Sequence, residues 1–242
     1  MGATVCDAVA VDPDLELVAA VDNGARGGTV HGIAIRRDLD TFVEHDAQVV
    51  VDFTVAAAAR TTLPWLAEHG IHAVVGTTGI ADADIEIARR AFTTSNCLIA
   101  ANFAIGAVLM MRFAELAAPW FDTAEIVELH HDNKLDAPSG TALATANRMA
   151  ASSDVWAPDP TAHEVLPGAR GGMGPAGIRV HSVRMRGMVA HQEVLLGAAG
   201  QTLSIRHDSY DRVSFMPGVI AACKRIADHP GLTIGLDSYL GL

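Results

Sequence analysis

Hydrophobic and polar positions follow two different regimes along this chain. Over the first hundred residues, short apolar runs are each followed by a stretch with helical spacing. Residues 17–22, 48–54, 72–76 and 97–101 read as strands, and residues 55–68 and 81–92 as helices. A further helix opens at Gly2. Near-continuous apolar strands alternating with helices predict a parallel sheet covered on both faces, the doubly wound α/β class. After Phe103 the regime changes. Residues 104–120 read as a long apolar helix, 125–130 as a strand and 140–151 as a helix, followed by a Pro-, Gly- and Ala-rich loop over 152–177. Residues 178–185, 189–196 and 202–208 read as strands separated by Gly-containing turns, which predicts an antiparallel meander. Residues 217–228 form a last apolar helix. A doubly wound front and an α+β back are therefore expected.

Composition narrows the function classes. The 242 residues suffice for one large domain or two small ones, and for a core without disulfides or metals. Half of them are hydrophobic and 19% are charged, the balance of a soluble globular protein. The net charge of −11 argues against nucleic acid or an anionic membrane as the main partner. It leaves room for a small anionic ligand at a locally basic site. Cys6, Cys97 and Cys223 are isolated, without a CxxC pair, which suits a reducing, cytoplasmic location. The longest nearly apolar run, 97–111, contains Asn102 and is too short to span a bilayer comfortably.

The start of the chain carries a possible nucleotide signal. Asp22 ends an apolar run twenty residues after Gly2. In dinucleotide folds a Gly-rich turn opens the first helix, and an acid about twenty residues on binds the ribose hydroxyls. Gly2 then reads as the last glycine of such a turn, with the first strand and earlier glycines lying upstream of the given start. The alternative is that Gly2 has no special role. Gly172-Met-Gly174-Pro-Ala-Gly177 also matches GxGxxG, but it precedes a β-like run and contains Pro175, so it reads as a loop.

The densest polar cluster is Glu128-Leu-His130-His131-Asp-Asn-Lys134-Leu-Asp136-Ala-Pro-Ser139-Gly140-Thr141. Ser139 is a candidate cap for the following helix. Free N–H groups near Gly140 and Thr141, with the positive end of the helix dipole, suit an anion, and Lys134 adds a full charge. An imidazole beside such a site can carry protons. Three readings remain open on these residues: an anion-binding active site, a solvated loop, and a metal site. The last is weakened because adjacent histidines on a strand point to opposite faces. His181 and His191 read as structural, and Arg206, His207, Asp208 and Arg212 as a surface charge cluster.

These residues resemble a known family. Glu128-Leu-His-His-x-x-Lys-x-Asp-Ala-Pro-Ser-Gly-Thr141 is similar to the signature of the dihydrodipicolinate reductases. Val51-Asp-Phe-Thr54, Val75-Gly-Thr-Thr-Gly79, Ala101-Asn-Phe-Ala-Ile-Gly106, His181-Ser-Val-Arg184 and Ser209-Tyr-Asp-Arg-Val-Ser-Phe215 follow in family order. The resemblance implies a Rossmann-type dinucleotide-binding domain over 1–103 and 212–242. It implies a substrate-binding and tetramerisation domain over 104–211, with a mixed or antiparallel sheet.

The implied activity is reduction of 4-hydroxy-tetrahydrodipicolinate by NADH or NADPH, in the diaminopimelate branch of lysine biosynthesis. By the resemblance His130 is the acid/base residue and Lys134 a proton donor. His131, Gly140 and Thr141 bind the dicarboxylate substrate. Asp22, Phe53, Thr54, Gly76, Thr77, Thr78, Ala100, Ala101, Asn102 and Phe103 line the cofactor site, and no metal is expected.

Three departures stand out. The family's first strand and Gly-rich loop are missing except for Gly2. Asn23 follows Asp22, where NADPH-preferring members often carry arginine, which leans toward NADH or dual use. Val55 and Ala56 stand where a basic residue and a proline are common. The rival readings are a non-catalytic relative acting as an assembly or regulatory subunit, a reductase of another cyclic imine, and a metal-dependent hydrolase.

Overall fold

The apolar runs that give strands at 49–52, 72–75 and 97–99 lie side by side and parallel, as strands that are hydrophobic on both faces require, whereas the run at 17–22 joins a separate small sheet. The computed structural model describes residues 1–25 and 27–242. The chain divides into two units, Met1–Phe103 with Phe215–Leu242, and Ala104–Ser214. The first unit opens with α1 (Gly2–Val11) and a small sheet. In it β1 (Ala20–Val21), β2 (Thr29–Val30) and β3 (Ile33–Arg36) take the order β1-β3-β2. The apolar run at 17–22 yields only a two-residue strand, which pairs with the last two residues of β3. After α2 (Asp40–Glu44) come β4 (Val49–Asp52), α3 (Ala56–Glu68), β5 (His72–Val75), α4 (Asp82–Ala91) and β6 (Cys97–Ile99). β4, β5 and β6 are neighbours and parallel, with Asp52 level with Val75 and Val75 level with Ile99. Their ends therefore lie at one edge.

Side chains of α3 and β5 fill the core beneath this sheet. Leu63, Leu66, Ala73, Val75, Phe92 and Cys97 are buried together. Pro64 sits inside α3 and removes one helix hydrogen bond, a loss on the order of 3 kcal/mol in a helix interior. Burial of Leu63 and Leu66, each worth about 1.5–3 kcal/mol, keeps the helix in place.

The second unit begins with α5 (Ile105–Ala117), β7 (Thr123–His130) and α6 (Gly140–Ser152). It continues through β8 (Gly172–Met173), β9 (Arg179–Arg184), β10 (Ala190–Ala198) and β11 (Gln201–Ser209). The sheet order is β11-β10-β7-β9-β8. This corrects the expected meander. β10 and β11 do form an antiparallel hairpin, but β9 and β10 do not pair. β7 lies between them, antiparallel to β10 and parallel to β9. The reason is that β7 is buried at Ile126 and Glu128 and needs a partner on each edge. A turn read locally from the Gly187 segment cannot reveal that an earlier strand takes the central place. The loop after α6 is tied back to the sheet by Arg170–Glu125 at 2.6 Å and Arg179–Asp159 at 2.7 Å.

The chain rejoins the first unit at Phe215, three residues beyond the expected Arg212. α7 (Met216–Arg225), β12 (Leu232–Ile234) and α8 (Asp237–Leu240) follow, and β12 adds in parallel to β6. Gly218 on α7 is buried, and a Cβ there would run into the carbonyl oxygen of Phe103 and lie 2.9 Å from Leu236 Cδ2. Gly218→Ala is therefore expected to destabilise the chain by about 1–3 kcal/mol, lowering the melting temperature by roughly 2–4 °C per kcal/mol. An unchanged melting temperature would show that α7 can shift away from Phe103 without cost.

Candidate active site

Strand alternation puts Glu128 and His130 on one face of β7, and pairing with β9 brings Arg184 level with His130. Glu128 is fully buried and is the hub of the site. Arg184 donates to it as a fork, Nη2 to Oε1 at 2.8 Å and Nη1 to Oε2 at 2.9 Å. The backbone N–H of Ser139 donates to Oε1 at 3.1 Å, and His130 Nδ1 lies 2.5 Å from Oε2. Arg184 Nη2 also donates to the carbonyl of Asp136 at 2.6 Å. One buried ion pair thus holds the end of β7, the polar loop and the start of α6 together.

The residues read as candidates occupy different positions around this hub. The His130 side chain is 16% exposed, at the end of β7. Lys134 donates to both carboxylate oxygens of Asp136, at 2.8 and 2.9 Å, and is near enough to His130 to lower its affinity for protons. Ser139 caps α6, its Oγ accepting from Ala142 N at 3.2 Å, as the residue pattern predicts. Gly140 and Thr141 form the first turn of that 13-residue helix. His131 is exposed in the loop after β7. Among the described residues no three His, Cys, Asp or Glu side chains are gathered as a metal site would need, so the paired-histidine hydrolase reading gains no support.

In the first unit the loops after β4, β5 and β6 meet at the carboxyl edge of the parallel sheet, where doubly wound folds bind ligands. Asp52 ends β4 and is 3% exposed. Its Oδ1 accepts from Thr54 N at 2.8 Å, Thr54 Oγ1 at 2.6 Å and Thr77 Oγ1 at 3.0 Å. One carboxylate therefore ties together two loops that the motifs single out. Its Oδ2 is buried without a hydrogen-bond partner among the described residues. The Phe53 ring lies over Gly76, where any Cβ would strike it, and packs at 5.5 Å against Phe103. Thr77, Ala100 and Phe103 are buried, whereas Thr54, Thr78 and Ala101 are exposed, and Asn102 lies between these extremes. Asp22 directly follows β1, with Oδ1 accepting from Gly24 N at 2.8 Å. The acid at one strand end and the small-residue loops at three others fit a dinucleotide.

Three functional candidates escaped the residue-by-residue reading. Glu128 stands two residues before His130, so strand alternation alone could have found it. Arg184 required the β7–β9 pairing. Arg37, just past β3, donates through Nε and Nη2 to the carbonyl of Asn23 at 3.0 and 2.7 Å. A guanidinium therefore borders the Asp22 turn, although the residue directly after Asp22 is Asn23.

The fold is that of a doubly wound α/β unit followed by a second α+β unit that holds the candidate acid/base cluster. Residues 1–103 match the family model for dihydrodipicolinate reductase, N-terminus, and residues 106–240 that for dihydrodipicolinate reductase, C-terminus. The chain belongs to the dihydrodipicolinate reductase family. The 4-hydroxy-tetrahydrodipicolinate reductase of Nocardia farcinica is 51% identical over 249 residues, covering 100% of this chain and 95% of the relative. That of Cutibacterium acnes is 49% identical with the same coverage. The solved structure of a dipicolinate-bound dihydrodipicolinate reductase from Paenisporosarcina sp. TG-14 superposes with a TM-score of 0.86 at 35% identity, over 97% of this chain and 93% of that one. This likeness gives the non-catalytic reading no support.

The site's electrostatics set a pH dependence. Burial pushes the Glu128 carboxyl up, but Arg184, Ser182 and His130 together hold it below its ordinary value. Glu125 behaves likewise, with Arg170 and His181 outweighing burial. Burial pushes His130 down despite Glu128, and the charges of Lys134 and Arg184 add to this. All three groups bind protons less readily in the folded chain than in the unfolded one. Their stabilisation is complete above the unfolded values and is lost as pH falls through them. The melting temperature is expected to drop as pH falls from about 7, first through the imidazole range and then, below about pH 4.5, through the carboxylate range. Calorimetry over a pH series checks this, and a rise on acidification would contradict it.

Proposed function

We propose that this chain reduces 4-hydroxy-tetrahydrodipicolinate with NADH or NADPH, and that the second unit holds and protonates the substrate. The observation that carries this reading is the convergence of His130 and the start of α6 on the buried Glu128–Arg184 pair, with the Lys134 charge acting on His130. The dicarboxylate substrate class follows from the family and from the dipicolinate bound by the Paenisporosarcina relative.

In the first unit Asp22 would hold the adenosine ribose. Phe53, Thr54, Gly76, Thr77, Thr78 and residues 100–103 would hold the nicotinamide end. When bound, the reduced nicotinamide supplies a hydride. The reaction also consumes one proton and releases the ring hydroxyl as water. His130 and Lys134 are the groups positioned to supply or relay that proton. Lys134 and the N-terminal turn of α6 stabilise carboxylates, through a full charge and through N–H donors aligned with the helix dipole. His131, Gly140 and Thr141 complete this anion-binding set.

Arg37 at the Asp22–Asn23 turn supports use of both cofactors, since a guanidinium can pair with a 2′-phosphate while Asp22 serves the ribose hydroxyls. Phe113, Leu116 and Trp120 are exposed at helical spacing along α5 and the turn after it, an apolar stripe that supports self-association as a homotetramer. No helix among the described residues is long and apolar enough to cross a membrane. A cytoplasmic location is part of the same reading.

The direct test is oxidation of NADH and NADPH by the purified chain, with substrate made fresh by the preceding synthase. His130→Ala is expected to lower kcat by about 10²–10⁴ with a smaller change in substrate KM. Lys134→Ala should impair both kcat and substrate KM, and an effect on cofactor KM alone would move the substrate elsewhere. Arg37→Ala is expected to raise the KM for NADPH by about tenfold, the worth of one exposed charge-assisted contact, and to leave that for NADH unchanged. Equal effects on the two cofactors would remove Arg37 from 2′-phosphate recognition.

A further inference from the structure

The buried carboxylate at the centre of the second unit has a role beyond holding the sheet together. Arg184 alone forms a two-pronged pair with Glu128, which would satisfy an ordinary structural carboxylate. Yet Oε2 also faces His130 Nδ1, and Oε1 also takes the Ser139 N–H. An ionised carboxylate only accepts hydrogen bonds. The imidazole nitrogen that faces it must therefore carry the hydrogen, and the ring has one place left to gain or lose a proton. The groups that act on this ring are Glu128 on its own strand, Arg184 on β9 and Lys134 in the loop; its neighbour across on β10, Ala190, is uncharged.

We propose that Glu128 is the positioning residue of the reductase. It fixes His130 as the Nδ1–H tautomer, so that Nε2 is the nitrogen that carries the transferred proton. Through the Ser139 N–H the same carboxylate sets where α6 begins, and so ties the proton-bearing ring to the anion-binding turn. Arg184 keeps the carboxylate ionised and aimed, which an apolar or neutral neighbour could not do for a fully buried acid. This inference rests on the reading of His130 as the acid/base group.

The test has a part that needs no variant. Nitrogen-detected NMR of the isotope-labelled wild-type chain, with the His130 signals assigned by difference against His130→Ala, reports the tautomer of the neutral ring. Hydrogen on Nδ1 is expected; hydrogen on Nε2 would overturn the proposal. In kinetics, Glu128→Gln is expected to lower kcat at least about tenfold with substrate KM within about threefold. It should also move the alkaline limb of the pH profile to lower pH. The imidazolium then loses its anionic partner while Arg184 and Lys134 remain. A purely structural Glu128 would alter the melting temperature without moving that limb. A folded Glu128→Gln chain with wild-type kcat and an unmoved limb would overturn the proposal, and if that variant does not fold the tautomer decides alone. Wild-type turnover by His130→Ala would instead remove the acid/base reading, an outcome the wild-type tautomer measurement keeps separate.

Discussion

The buried pair between Glu128 and Arg184 is the contact on which the second unit's candidate site depends. A carboxylate with no exposure is costly to bury and becomes tolerable only with an opposite charge and full hydrogen bonding. Arg184 supplies the charge, and Ser139 and His130 take the remaining directions. Because those partners come from β9, the start of α6 and the end of β7, satisfying one carboxylate fixes three separate pieces of chain. The acid's demand for partners is thus also what assembles the candidate proton and anion sites.

The first unit repeats this device at smaller scale. Asp52, buried at the end of β4, gathers Thr54 and Thr77 onto one oxygen and so joins two loops at the sheet's carboxyl edge. The Phe53 ring can lie on the Gly76 backbone only because no side chain stands there. Loops carry binding residues because they are free to vary, and here a buried acid restricts that freedom at the positions proposed to face a cofactor. Net charge gives no hint of either site. The chain is acidic by eleven charges, yet Lys134, Arg184 and the positive end of α6 converge at one strand end. Recognition of an anion is a local matter of donors and geometry.

Much of the fold was legible from the residues. The strands at 49–52, 72–75 and 97–99 and the helices between them follow from apolar runs and helical spacing, which report burial directly. The β2–β3 hairpin escaped notice. Its His31-Gly32 turn has positive φ at both positions, 47° and 81°, but lacks the Asn-Gly or Asp-Gly pair that marks such turns in sequence. β12 escaped as well, being three residues long with no periodicity to show.

The site divides along the same line. His130, Lys134, Ser139 and Gly140 stand within one short segment, so their spacing and the helix-start chemistry exposed them to a sequence reading, and Glu128 was within reach of strand alternation. Arg184 lies 56 residues beyond Glu128 and Arg37 lies 14 beyond Asn23. Neither distance is encoded in local pattern. The sequence by itself determined the main strands and helices and which short motif is the candidate for the chemistry, because burial and capping act between near neighbours. Only the tertiary structure decided that β7 lies between β9 and β10, and with it which arginine meets the buried acid. Strand order is settled by which edges must find partners across the whole sheet.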